Sequence, residues 1–295
     1  ASGRGMARLT GGETAMVGAG RRGVLRELAG TATVRRETSE PTMAAACLHR
    51  HTRAQTANHD RPATMTTPAT TVTDALETRL SVRDFLPTPV PLDTIRQVLA
   101  TASRSPSGGN VQPWRIDVVT GAKLDELKAI MQRRLAEVAA GDKSESPEYD
   151  IYPKELVSPH RDYRFKIGED MYARLGIPRE DKAKRLQWFA RNYQFFGAPM
   201  ALFCSVDRRM GPPQWSDMGM FLQSVMLLLR ERGLDSCAQE CWAVYPKTIG
   251  DFIGIPPERM LFTGMAIGWR NAEHPINGLR SERAAVDSFT QFHGG

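Results

Sequence analysis

The stretch from Ser216 to Arg232 constrains the fold more than any other part of this chain. Its helical spacing is apolar on nearly every face, through Met218, Met220, Phe221, Leu222, Val225, Met226, Leu228 and Leu229. A helix with so little polar surface must be covered on several sides, here by its own sheet and by a second subunit. Ser216 or Asp217 is the expected N-cap. The apolar runs inside it, such as Met226 to Leu229, are far shorter than the roughly 18 residues that a membrane span needs.

The covering layers are legible on either side. Leu92, Ile95, Val98, Leu99 and Ala102 form a helical stripe behind Pro89-Val-Pro91, and Trp114 to Val119 alternates as a strand. Leu124, Leu127, Ile130 or Met131, Leu135 and Val138 predict a second amphipathic helix ending near Gly141. Pro199 to Val206 and Met260 to Trp269 read as strands, and Pro246 to Ile253 as a short helix. Between them, Asp142 to Pro178 is polar, contains tyrosines and is broken by prolines. It predicts a lid-like surface excursion, with Tyr152, Tyr163 and Tyr172 facing a flat ligand.

Residues 1–64 have a different texture, rich in Ala, Gly, Thr and Arg and without sustained periodicity. They hold ten Arg and five acidic residues, so most of the formal charge of +6 belongs to them and not to the remainder. A nucleic-acid role would rest on this tail alone. Gly18-Ala-Gly20-Arg-Arg-Gly23 matches a dinucleotide fingerprint, but only Ala15-Met-Val17 could serve as its strand, the helix after it would be barely two turns, and no further βαβ unit follows. The tail is expected to be a disordered or non-native extension, with Met65 opening the folded domain, 65–295. The cysteines Cys47, Cys204, Cys237 and Cys241 are too few for a disulfide framework and suit a reducing, cytoplasmic setting. The Cys237 and Cys241 pair lacks partners at zinc-ligand spacing, so no metal is expected.

Three polar segments are not explained by packing. Arg79, Ser81 and Arg83 alternate with Leu80 and Val82, which places two guanidiniums and a hydroxyl on one face of an extended segment, a combination suited to a polyanion. Ser105-Pro-Ser-Gly-Gly-Asn110-Val-Gln-Pro-Trp114 joins paired glycines to several polar side chains between prolines. Gly278-Leu-Arg280-Ser-Glu-Arg283 follows the last strand.

In order and spacing, Arg79-x-Ser81-x-Arg83-x-Phe85 and Pro106-Ser107-Gly108-x-Asn110-x-Gln112-Pro113-Trp114 resemble the N-terminal signature of the nitroreductase family of FMN-dependent NAD(P)H oxidoreductases. Asn192-Tyr-Gln-Phe-Phe-Gly197-Ala-Pro199, Gln239-Glu240, Gly264-Met-Ala-Ile-Gly268, Arg280 and Arg283 resemble its bacterial aromatic-nitro-compound reductases. The resemblance runs from about Val72 to Phe292. It implies an α+β fold, a central mixed or antiparallel sheet flanked by helices in a domain-entwined homodimer, with FMN bound between the subunits. It also implies that Arg79, Ser81, Arg280 and Arg283 hold the FMN phosphate and that Arg83 reaches the pyrimidine edge. Pro106, Ser107, Gly108, Asn110 and Gln112 would come from the second subunit, and the backbone of Gln239 and Glu240 would face the flavin N5 and O4 edge. The flavin carries the chemistry, so no catalytic acid or base is implied. NADPH or NADH and a small aromatic acceptor, a nitroaromatic or quinone, would use the same flavin face in turn. Flavin-fragmenting enzymes and reductive dehalogenases share these residues, and a non-catalytic flavin-binding protein remains the alternative class.

Overall fold

A computed structural model describes residues 66–294. The expectations for residues 1–64, including the Gly18 to Gly23 motif, lie outside the described residues.

In chain order the elements are α1 (Val72–Thr78), β1 (Phe85–Leu86), α2 (Leu92–Ala102), β2 (Arg115–Thr120), α3 (Gly121–Ala139), α4 (His160–Arg174), α5 (Lys182–Ala190), β3 (Met200–Asp207), α6 (Pro212–Glu231), β4 (Asp235–Gln239), α7 (Pro246–Ile253) and β5 (Arg259–Arg270). Each start has a local cause. Thr71 caps α1 through a reciprocal pair, in which Asp74 N–H donates to Thr71 Oγ1 at 3.0 Å and Thr71 N–H donates to Asp74 Oδ2 at 3.2 Å. Pro212 and Pro213 occupy the first turn of α6 behind Gly211, where a missing N–H costs nothing. The helix therefore begins ahead of the expected cap at Ser216 or Asp217.

β5 is the hub of an antiparallel sheet. It pairs with β3 from Arg259 to Ile267, with β4 from Gly264 to Gly268, and with β1 at Trp269 and Arg270, while β2 pairs with β3. An isolated parallel bridge joins Ser81 to Ser236 of β4. One face of the sheet packs on α2 and α6, where Met218, Phe221, Leu222, Val225 and Leu229 are buried with Ile95 and Val98. Met226 and Leu228 are only partly covered and Met220 is 41% exposed. The opposite face buries Leu124, Leu127 and Met131 of α3 and an aromatic cluster. There Trp242 stacks on Phe195 at 4.5 Å between ring centroids and meets Tyr193 and Phe203 edge-on. Gly264 is required by this packing, because a Cβ there would meet Trp242 Cγ at 2.8 Å.

Asp235, fully buried at the start of β4, accepts from Arg270 Nη2 at 2.5 Å and from Thr66 Oγ1 at 3.2 Å, and pairs with Arg230 at 3.3 Å. This network ties the end of α6, two strands and the first described residues together. Removing one partner would strand a buried charge.

The segment from Asp142 to Pro178 differs from expectation in containing a regular helix. α4 spans 15 residues without burying one, so it has no apolar stripe for a sequence to display. The approach to it is pinned at several points. Arg134 binds Glu145, Asp142, Glu137 and Ser144; the Tyr149 hydroxyl donates to the Phe262 carbonyl; and Arg208 pairs with Glu148 at 2.7 Å.

Candidate active site

The Arg79 to Arg83 segment is extended and held on both flanks. Val82 N–H donates to Ser236 O at 3.1 Å, and Arg83 N–H donates to Asn277 Oδ1 at 2.9 Å. Asn277 is buried and its Nδ2 donates to Asp84 O at 2.7 Å and to Asn271 O at 2.8 Å. One side chain thus registers the early arginine segment against the chain that continues to Arg280 and Arg283. Asp84 reinforces the junction by accepting from Arg191 at 2.8 Å and from Asn271 at 2.9 Å.

This brings Arg79, Ser81, Arg83, Arg280 and Arg283 around one cavity of about 280 Å³, closed by Leu76, Leu80, Ile167 and Leu279. Among the described residues none of its four arginines forms an ion pair. Arg280 donates to the Glu77 carbonyl, Arg283 to Ser281 and Glu282, and Arg83 to the Ser81 carbonyl at 3.4 Å. Burial, and then the neighbouring Arg283 and Arg280 guanidiniums, pull Arg79 below the usual arginine range. The Glu77 side chain also lines the cavity and pairs with none of the arginines, so four cations outnumber one carboxylate, an excess of positive charge that fits a bound dianion.

Arg83 also lines a second cavity of about 570 Å³, so the two adjoin at this side chain. The larger one is walled by Tyr152, Tyr172, Trp188, Phe189 and Phe196, with Arg164, Asn192, Gln239, Glu240 and Cys241. An aromatic-lined space beside a cationic pocket suits a planar ring system joined to a phosphate, as in FMN. The Gln239 side chain is engaged elsewhere, donating to Asn192 O at 2.8 Å and accepting from Trp242 Nε1 at 3.3 Å. Burial, and then the negative charge of the nearby Glu240 carboxylate, raise the Tyr152 phenol above its usual value. Burial drives the Cys241 thiol up to about 12.

The expected residues do not all meet. Tyr152 and Tyr172 line the larger cavity, but Tyr163 does not. It lies in a separate groove between α4 and the C-terminal segment with Val286 and Phe289, because it projects from a different face of α4. Pro106, Ser107, Gly108, Asn110 and Gln112 line neither cavity of their own chain. Their loop is exposed and fixed: Gly108 N–H donates to buried Asp217 Oδ2 at 3.2 Å, and Gln112 N–H to Ser107 Oγ at 3.0 Å. Gly109, Asn110 and Gln112 all have positive φ, of 57°, 57° and 47°. Left-handed backbone at two non-glycine residues is strain held by the surroundings, a recurrent mark of ligand-contacting loops. Sequence reasoning missed Asn277 and Arg164. Asn277 acts through tertiary contacts that no local pattern announces, and Arg164 sits on a helix without a buried face.

Residues 76–269 match the family model described as the nitroreductase family. The chain is 34% identical to 4-nitrobenzoate reductase of Pseudomonas putida, over 73% of this chain and 92% of that protein. It is 31% identical to nitrobenzene nitroreductase of Ectopseudomonas oleovorans, over 75% and 96% respectively. The solved structure of the FMN and NADPH-dependent nitroreductase NfnB from Sphigopyxis sp. strain HMH superposes with a TM-score of 0.73 at 45% identity, covering 76% of this chain and all of that one. Arg280 and Arg283 fall beyond the matched family segment but on the same cavity as the arginines inside it. With the antiparallel hub sheet, the paired cavities and these relatives in agreement, the chain belongs to the nitroreductase family.

Proposed function

We propose that the chain is an FMN-dependent NAD(P)H oxidoreductase that reduces nitroaromatics or quinones. The observation carrying this reading is the set of four arginines converging on one cavity without a carboxylate paired to any of them. The relatives' names, which specify nitroaromatic acceptors, FMN and NADPH, support it. Arg79, Ser81, Arg280 and Arg283 would hold the phosphate. Arg83, reaching both cavities, would meet the pyrimidine edge of the ring, where a fixed cation offsets the charge that gathers on reduction. Bound FMN supplies hydride transfer, accepting from the nicotinamide and delivering to the acceptor.

The remaining contacts belong to a homodimer. The fixed loop of Pro106, Ser107, Gly108, Asn110 and Gln112 lines neither cavity of its own chain, so in this reading it serves the site of a second copy. The partly uncovered α6, with exposed Met220, and exposed Val111 support an apolar interface on the same side as that loop. The backbone of Gln239 and Glu240 would border the N5 and O4 edge. No helix among the described residues is long and apolar enough to cross a membrane, and the three free cysteines described suit a cytoplasmic location.

The test is direct. Purified protein should bind one FMN per chain, bleach with NADPH under anaerobic conditions, and recolour on addition of a nitroaromatic. Failure to bind FMN, or bleaching that no nitroaromatic or quinone reverses, would exclude the activity.

A further inference from the structure

The larger cavity contains a cation that flavin binding leaves unused. Arg164, near the start of α4, lines it and is exposed at its mouth. Its guanidinium carbon lies 4.1 Å from the centroid of the Tyr152 ring, so the planar group is oriented by stacking. Among the described residues it forms no ion pair and no hydrogen bond, which leaves its donors free. By contrast, Lys166 of α4 pairs with Asp170 at 2.8 Å, and Arg185 of α5 with Glu169 at 2.7 Å. The one carboxylate lining the cavity, Glu240, lies close enough to the Tyr152 phenol to raise its pKa. Arg83 and Arg164 face this single negative charge, and in the reading above Arg83 serves the flavin.

We propose that Arg164 is a specificity-determining residue that selects aromatic acceptors bearing a carboxylate over neutral ones of the same shape. This rests on the nitroreductase reading and deepens it, since the named relatives include both a reductase of a carboxylated substrate and one of a neutral substrate. A guanidinium held flat against a tyrosine presents a fork of donors at the rim of an aromatic slot. An acceptor whose ring stacks inside the slot can extend a carboxylate to that fork, forming the bidentate pair that arginine geometry favours. A neutral substituent would leave Arg164 in water, with neither gain nor loss.

The experiment compares 4-nitrobenzoate with 4-nitrobenzamide, near-isosteric acceptors that differ in charge, in the FMN-loaded wild type and in Arg164→Gln and Arg164→Lys. Titration of benzoate into the same loaded proteins gives affinity without turnover. The wild type should favour 4-nitrobenzoate in kcat/KM. In Arg164→Gln that ratio should fall about tenfold and benzoate affinity should weaken by a similar factor, while Arg164→Lys retains a preference for the anion. An unchanged ratio with unchanged benzoate affinity in Arg164→Gln overturns the proposal. If the wild type reduces neither acceptor, the nitroaromatic part of the oxidoreductase reading fails by itself, and the benzoate titration still decides the role of Arg164.

Discussion

At the scale of single residues, charge and reach assign different tasks to similar side chains. Among the described residues the Arg79 guanidinium has no ion-pair or hydrogen-bond partner, and it is crowded by two other guanidiniums. Arg79→Gln should therefore weaken FMN binding by roughly ten- to hundredfold, the worth of a charge-assisted hydrogen bond, read by fluorescence titration of the apoprotein. Arg83→Gln should keep most of its FMN, yet NADPH should reduce it about a hundredfold more slowly in anaerobic stopped-flow. A wild-type rate at saturating FMN would remove Arg83 from the ring. Cys241 offers a pH test. It borders the larger cavity, but burial holds its thiol up to about 12, so almost no thiolate exists at neutral pH. Iodoacetamide should leave it unmodified at pH 8 in the native protein, with labelling rising only as pH climbs towards 12, as followed by mass spectrometry. Legibility at this scale depended on whether a residue belongs to a local repeat. Arg79, Ser81 and Arg83 alternate visibly along an extended segment. Arg280 and Arg283 acquired meaning only through resemblance, and Asn277, which aligns the two groups, gives no local signal at all.

At the scale of elements, β5 and the excursion mark the two extremes of tolerance. β5 pairs with three other strands and presses its Gly264 against Trp242. Gly264→Ala forces either an indole ring or the hub strand to move, and such overpacking costs about 1 to 3 kcal/mol, or more where backbone must yield. Thermal denaturation should show a fall of several degrees, whereas Gly168→Ala in α4, with open space around its Cα, should show none. The excursion should respond in function and not in stability. Tyr152→Ala and Tyr172→Ala should change KM among acceptors by several-fold with FMN retained, while Tyr163→Ala, whose ring lies in another groove, should leave acceptor kinetics as they are. Equal effects from all three would mean that the excursion acts as one body. The elements that sequence did not reveal share a cause. α4 buries no residue, so it has no apolar periodicity. β4 reads Asp-Ser-Cys-Ala-Gln and has no β-branched residue, since its stability comes from the buried Asp235 ion network and from its neighbours. The strands and helices that were legible, such as α2 and β3, carry apolar residues at their own periods.

At the scale of the whole molecule, the Thr66 hydroxyl already bonds to Asp235 and to the Gly233 carbonyl. A chain beginning at Met65 should match the full chain in FMN content and melting temperature, while loss of Thr66 and Thr67 should destabilise it. In sedimentation at micromolar concentration the protein should be a dimer, and Asn110→Ala with Gln112→Ala should lower FMN affinity without changing the arginine cavity. A monomer holding stoichiometric FMN would refute the shared site. The arginine cavity has one more property. Its cations come from opposite ends of the domain, about two hundred positions apart, with Asn277 fastening one group to the other. During synthesis, therefore, the arginine cavity is incomplete until the chain has emerged past Arg283 and the last strand has closed on the sheet. Cofactor uptake is then a late event in the folding of this domain, and the yellow colour of the holoprotein would report that both halves of the arginine set have been brought together.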